Sequence, residues 1–190
     1  MHPKIWLVRH GETAWSKTGQ HTGRTDIPLT DEGRVVASRL ASALQGEPFR
    51  HVFSSPLERA KETCQLAGLG GVVKLRDELM EWDYGDYEGK TSAEIKAKRP
   101  DWSLWRDGCP GGESPEDIVG RVDRFIAEVD ALDGEIAVFA HGHLLRTLAV
   151  RWLRLPVDAG ALLALSTATI SKLGNERVLC LWNSDAHLRE

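Results

Sequence analysis

The chain has 190 residues, 42% of them hydrophobic and 27% charged, with a formal charge of −4. That length predicts one domain, residues 1–190, whose core is large enough to stand without disulfides or metals. The acidic balance argues against a nucleic-acid partner, although it leaves room for a small basic pocket. No run approaches the ~20 apolar residues of a membrane span.

The three cysteines, Cys64, Cys109 and Cys180, form no CxxC pair. They are expected to be unbridged thiols of a reducing compartment. Cys64 should pack on the buried side of its helix, and Cys109, in a glycine-proline loop, should be exposed. The N-terminal residues carry no long apolar stretch with a cleavage site, so no signal peptide is expected and the cytoplasm is the default location.

Ile5-Trp6-Leu7-Val8 reads as a buried strand, and it runs into Arg9-His10-Gly11 rather than into turn residues. Residues 30–44 predict a helix, with Thr30 as N-cap, Asp31 and Glu32 in the first turn, and Val36, Leu40, Ala43 and Leu44 at helical spacing. A short strand follows at 51–55. Ser55-Pro56 predicts a helix start, serine as N-cap and proline at the first helical position, with a stop in the glycines at 68, 70 and 71. Residues 72–80 read as a further strand.

Residues 81–89 form a glycine- and aromatic-containing loop. Thr91 with Glu94 is a capping box for a short helix that Pro100 ends. Residues 102–114 read as a loop around two tryptophans. Ser114-Pro115 then opens a helix whose Ile118, Val119, Val122, Phe125, Ile126, Val129 and Leu132 recur every three to four residues. Residues 135–141 are a second strong strand ending in a histidine. Residues 142–155 form a helix stopped by Pro156, and 168–182 read as a β-hairpin. Alternating strands and helices imply the α/β class: a three-layer sandwich with a mostly parallel central sheet, helices on both faces and a C-terminal hairpin.

Arg9 and His10 end the first strand, Arg59 lies in the first turn of the helix after Ser55-Pro56, and His141 ends the later strand. In such sheets the carboxyl ends of strands surround one crevice. Two arginines and two histidines there suit a phosphate or carboxylate, and helix starts at 56 and 142 would add free backbone N–H groups. Each residue alone has an ordinary reading: a solvated helix face for Arg59, a satisfied core histidine for His141, any loop carboxylate for Glu81. Two apolar strands that each end in histidine-glycine are hard to ascribe to packing.

Five blocks carry a resemblance: LVRHGET (7–13), HTGRTDIPLTDEG (21–33), SSPLERAKET (54–63), Glu81 ahead of Asp83-Tyr84-Gly85, and FAHGH (139–143). In this order they resemble the histidine phosphatase superfamily, which includes the cofactor-dependent phosphoglycerate mutases. EWDYGDYEG (81–89), WRDGCPGGE (105–113) and AHGHLLR (140–146) are similar to a phosphatase branch containing fungal sedoheptulose bisphosphatase and mycobacterial acid phosphatases.

The resemblance implies a phosphoglycerate mutase-like fold and a metal-independent phosphomonoesterase of small phosphorylated metabolites, with sugar phosphates or bisphosphates foremost. It makes His10 the nucleophile. Arg9, Arg59 and His141 would bind the non-bridging oxygens, and Glu81 would act as acid and then base, a role that calls for a raised pKa. Ser16, Thr22 and the backbone at Gly23 would line the phosphate pocket. His143 and Arg146, three apart on one helix face, would form a second anionic subsite with Tyr84 on the same rim. Ser16 departs from the mutases, which usually have asparagine there. No metal or other cofactor is expected, and no HExxH-type spacing is present. A mutase using the same residues is the main alternative, although the short region 90–113 favours hydrolysis. A protein phosphatase and a non-catalytic anion-binding protein are the others.

Overall fold

The computed structural model describes residues 3–189; residues 1, 2 and 190 of the expected domain lie outside the described residues. Six strands form one sheet: β1 (Lys4–Arg9), β2 (Phe49–Ser54), β3 (Val73–Leu75), β4 (Glu135–Ala140), β5 (Ile170–Leu173) and β6 (Leu179–Ser184). Their spatial order is β3-β2-β4-β1-β5-β6. β1 and β2 flank β4 in parallel, β3 joins β2 in parallel, and the C-terminal β5–β6 hairpin adds antiparallel strands beside β1.

The helices are α1 (Ala14–Thr18), α2 (Asp31–Ser38), α3 (Leu40–Leu44), α4 (Glu58–Leu66), α5 (Ser92–Lys98), α6 (Leu104–Asp107), α7 (Pro115–Asp130) and α8 (Gly142–Trp152). Side chains of a strand alternate between faces. Ile5, Leu7, Ile136 and Val138 therefore pack with α7 and α8 in one apolar cluster, while Trp6, Val8, Ala137 and Phe139 pack with α2, α3 and α4 in another. These are the three layers expected. Among the described residues, no helix is long and apolar enough to cross a membrane.

Capping chemistry sets several helix starts. Thr30 accepts the Gly33 N–H, Thr91 and Glu94 form a reciprocal capping box, and Ser114 forms another with Asp117 ahead of Pro115. Six expectations need correction. The helix over 30–44 breaks at Arg39, where Ser38 Oγ and Ser42 Oγ hydrogen-bond the Val35 and Arg39 carbonyls and compete with the helical ladder. The helix after β2 starts at Glu58, because Leu57 is still extended at φ −69° and ψ 136°, and the Ser55 hydroxyl is turned to the Leu57 N–H and to His141. The strand over 72–80 shrinks to Val73–Leu75, since its partner β2 ends at Ser54. The loop 102–114 contains α6 and buries Cys109, which hydrogen-bonds Glu113 through its backbone. α8 stops at Trp152, with Arg154 left-handed at φ 60° and Leu155 barred from helix by Pro156. Cys64 is buried as expected, and Cys64, Cys109 and Cys180 are all free thiols.

Candidate active site

β1, β4 and β2 end side by side, so Arg9 and His10, His141, and Ser55 meet at one edge of the sheet. The cleft above them has a volume of about 240 Å³, with Arg9, His10, Glu81, Tyr84, His143 and Arg146 in its walls. Ser16 and Thr22 also line it. Gly142 leaves room for Arg9: a Cβ there would stand 3.3 Å from Cζ of Arg9 and press on the guanidinium. The structure thus brings eight of the eleven expected site residues to the cleft wall.

His10 is buried at 4% exposure, and its Nδ1 lies 2.7 Å from the Gly11 carbonyl oxygen. A carbonyl only accepts, so Nδ1 carries the proton and Nε2 keeps its lone pair. Burial first, then the charges of Arg59 and Arg9, hold the His10 pKa well below the usual imidazole value. The ring is neutral, with an unprotonated Nε2. Arg9 donates from Nη1 to the Leu165 carbonyl, while its Nε is buried with no hydrogen-bond partner. An unpaired buried guanidinium N–H is costly, and an anionic ligand would relieve it.

Arg59 and His141 stand behind His10 and outside the cleft lining, both at 0% exposure. Arg59 donates from Nε to His141 Nδ1 at 3.2 Å, from Nη1 to the Thr25 carbonyl at 3.0 Å, and from Nη2 to the Thr22 and Gly23 carbonyls at 3.1 and 2.9 Å. His141 Nδ1 therefore accepts, its proton sits on Nε2, and Nε2 faces Ser55 Oγ at 2.8 Å. The rings of His10 and His141 lie 5.2 Å apart between centroids. Gly23 is likewise absent from the lining; its N–H is donated to Glu88 Oε1 at 2.8 Å.

Glu81 is buried, and its carboxylate accepts from three backbone N–H groups: Trp82 and Leu144 on Oε1, both at 2.9 Å, and His143 on Oε2 at 3.1 Å. The amides expected to be free at the start of α8 are thus held by Glu81. At the start of α4, the Glu58 N–H is held by Asp26 Oδ1 at 2.9 Å. Each carboxylate complements the positive end of a helix dipole.

On the rim, Tyr84 Oη and His143 Nδ1 are 2.6 Å apart. Burial pushes the Tyr84 phenol well above its usual pKa and the His143 imidazole well below. The phenol therefore donates, and His143 Nε2–H is left as a donor. Arg146 donates from Nε to the Gly160 carbonyl at 2.9 Å and stacks on Trp105, with Cζ 4.7 Å from the ring centroid.

Sequence reasoning missed Gly19, Gln20, His21, Ser92 and Leu165, which also line the cleft. His21 packs on Tyr84 with centroids 4.6 Å apart, and burial lowers its pKa to about 4. The pH dependence of stability follows. His10, His21, His141 and His143 all have folded-state pKa values below the 6.5 of a free imidazole. Stability is complete above that value and is lost as pH falls, because the unfolded chain takes up protons the folded chain cannot. The urea midpoint should therefore drop between about pH 7 and pH 4; a flat profile would mean that the imidazoles titrate normally.

A mostly parallel sheet with a neutral imidazole and the unpartnered Arg9 N–H at its carboxyl edge is an α/β architecture suited to binding an anionic ester there. The chain belongs to the histidine phosphatase superfamily (branch 1), whose family model matches residues 5–183. It is 42% identical over 180 residues to an acid phosphatase of Mycobacterium tuberculosis, covering 91% of this chain and 87% of the relative. It is 38% identical to sedoheptulose 1,7-bisphosphatase of Saccharomyces cerevisiae, covering 82% and 69%. The solved structure of a Mycobacterium tuberculosis open reading frame superposes with a TM-score of 0.89 at 38% identity, covering 96% of this chain and 98% of that one. The chain is a phosphatase. Among the described residues, no three His, Cys, Asp or Glu side chains gather to hold a metal ion.

Proposed function

We propose that this phosphatase hydrolyses small phosphorylated metabolites, sugar phosphates and bisphosphates foremost, through a phosphohistidine on His10. The carrying observation is the His10 ring: Nδ1 is tied to Gly11, so Nε2 is the nitrogen available in a cleft where Arg9 keeps an unpartnered N–H. Nε2 attacks phosphorus, the ester P–O bond breaks, and Glu81 in its acid form protonates the departing alkoxide. Water then attacks the phosphohistidine, its proton passes to Glu81, the N–P bond breaks and phosphate leaves.

Arg9 binds the non-bridging oxygens directly, with Ser16 and Thr22 beside them. Arg59 and His141 act from behind His10, Arg59 by its charge and both by fixing the walls. A cleft of about 240 Å³ favours a small ester over a folded protein substrate. The unbridged cysteines fit a reducing compartment, and we place the enzyme in the cytoplasm.

On the rim, Arg146 and the Nε2–H of His143 form a second anionic subsite that favours bisphosphates. Arg146→Ala should lower kcat/KM for a sugar bisphosphate by about 10- to 100-fold, the worth of a charge-assisted hydrogen bond, and leave p-nitrophenyl phosphate nearly unchanged. Equal losses on both substrates would reject the subsite.

A further inference from the structure

Glu81 is held on two sides. Its carboxylate is bound by the amides of α8, as described above. Its backbone is bound from the opposite direction by Arg121 of α7, a residue outside the cleft lining with a side chain only 7% exposed. Arg121 Nη1 donates to the carbonyls of Glu78 and Met80 at 2.7 and 2.6 Å, and Nη2 donates to the carbonyl of Glu81 at 3.0 Å. The same guanidinium grips Glu113 with Nε to Oε1 at 2.6 Å and Nη2 to Oε2 at 2.9 Å.

Glu113 closes the other half of the clamp. Its Oε2 accepts the Asp83 N–H at 2.8 Å, its backbone N–H bonds the Asp83 carbonyl at 2.9 Å, and its carbonyl accepts Trp82 Nε1–H at 3.0 Å. Apart from the two bonds that join Arg121 to Glu113, these bonds land between residues 78 and 83, on both sides of Glu81. A buried ion pair is a poor way to stabilise a fold, because an apolar pair of the same volume packs as well without the desolvation cost. What an apolar pair cannot do is fix three carbonyls at once, which the planar fork of arginine does.

We propose that Arg121, through its pair with Glu113, is a positioning residue for Glu81: it sets the oxygen that hands a proton to the leaving alkoxide. This rests on the reading of Glu81 as the acid. Placement errors of about 1 Å in a proton donor are enough to cost catalysis without unfolding anything.

The test compares kcat/KM, which reports the first phosphoryl transfer, on glycerol phosphate and on 2,4-dinitrophenyl phosphate, whose leaving group needs no proton. Glu81→Gln is the reference and should lose about 10²- to 10⁴-fold on glycerol phosphate and far less on the aryl ester. Arg121→Lys keeps the charge and loses the fork; it should lose roughly tenfold on glycerol phosphate and less than about twofold on the aryl ester. Glu113→Gln, which keeps the shape of the pair, should show the same selectivity in milder form. Equal losses on both esters in Arg121→Lys and Glu113→Gln, with Glu81→Gln still selective, would overturn the positioning role alone. No selectivity in Glu81→Gln would instead overturn the acid reading on which it rests.

Discussion

His10→Ala should abolish turnover of every phosphomonoester while leaving the protein folded. The Nε2 lone pair exists because the Gly11 carbonyl holds the ring proton on Nδ1 at 2.7 Å. It stays unprotonated in mildly acid solution because burial and the charges of Arg59 and Arg9 depress the imidazole pKa. In the proposed mechanism alanine removes the group that forms the N–P bond. The expected loss in kcat is on the order of 10⁴-fold or more, as when a covalent nucleophile is deleted. The fold should tolerate the change, since the His10 N–H still bonds the Ala140 carbonyl and the lost side chain carries one local hydrogen bond. Residual activity of His10→Ala above about 1% of wild type would refute the mechanism. Rapid quenching of the wild type should place one phosphoryl group on the peptide bearing His10, and His10→Ala should show none.

The parts legible in the sequence were those with a local physical signal. Buried strands are short apolar runs, and a run that ends in Arg-His-Gly or His-Gly exposes its chemistry at the residue where the apolar pattern stops. Ser114 and Thr91 announce their helices because the cap and its partner lie three residues apart. What stayed hidden depends on partners distant in the chain. His21 reaches the cleft because its backbone pairs with Lys90 and Gly89, an arrangement with no trace in residues 19–23 alone. Ser55 has the form of an N-cap, yet its hydroxyl faces His141 across 86 positions, and the helix begins later. The helix starts near 56 and 142 read as open anion sites, but Asp26 and Glu81 arrive from elsewhere to occupy them. Arg59 shows the largest gap between the two views. On a helix wheel it is an ordinary polar residue, and in the fold it is at 0% exposure.

Arg59→Ala should cost both stability and activity, and the two losses have one origin. The guanidinium closes four hydrogen bonds, to the carbonyls of Thr22, Gly23 and Thr25 and to His141 Nδ1. Removing it strands two buried acceptors, the Gly23 carbonyl and His141 Nδ1, each at about 1–3 kcal/mol, while the Thr22 and Thr25 carbonyls can turn to water, so the unfolding free energy should fall by a few kcal/mol. The segment carrying Thr22 loses its anchor, and His141 loses the donor that fixes its tautomer and faces Nε2 toward Ser55. Arg59→Lys should rescue little, because one ammonium cannot reach three carbonyls and an imidazole in different directions. Two readouts separate this from a general loss of packing. The urea midpoint of Arg59→Ala should fall well below that of His10→Ala, whose side chain has a single bond to lose. Inorganic phosphate should protect Arg59→Ala against urea far less than it protects the wild type, since both the charge behind the cleft and the wall holding Thr22 are gone. A variant with wild-type stability and undiminished phosphate protection would mean that the wall behind His10 is held by other contacts and that Arg59 serves neither end.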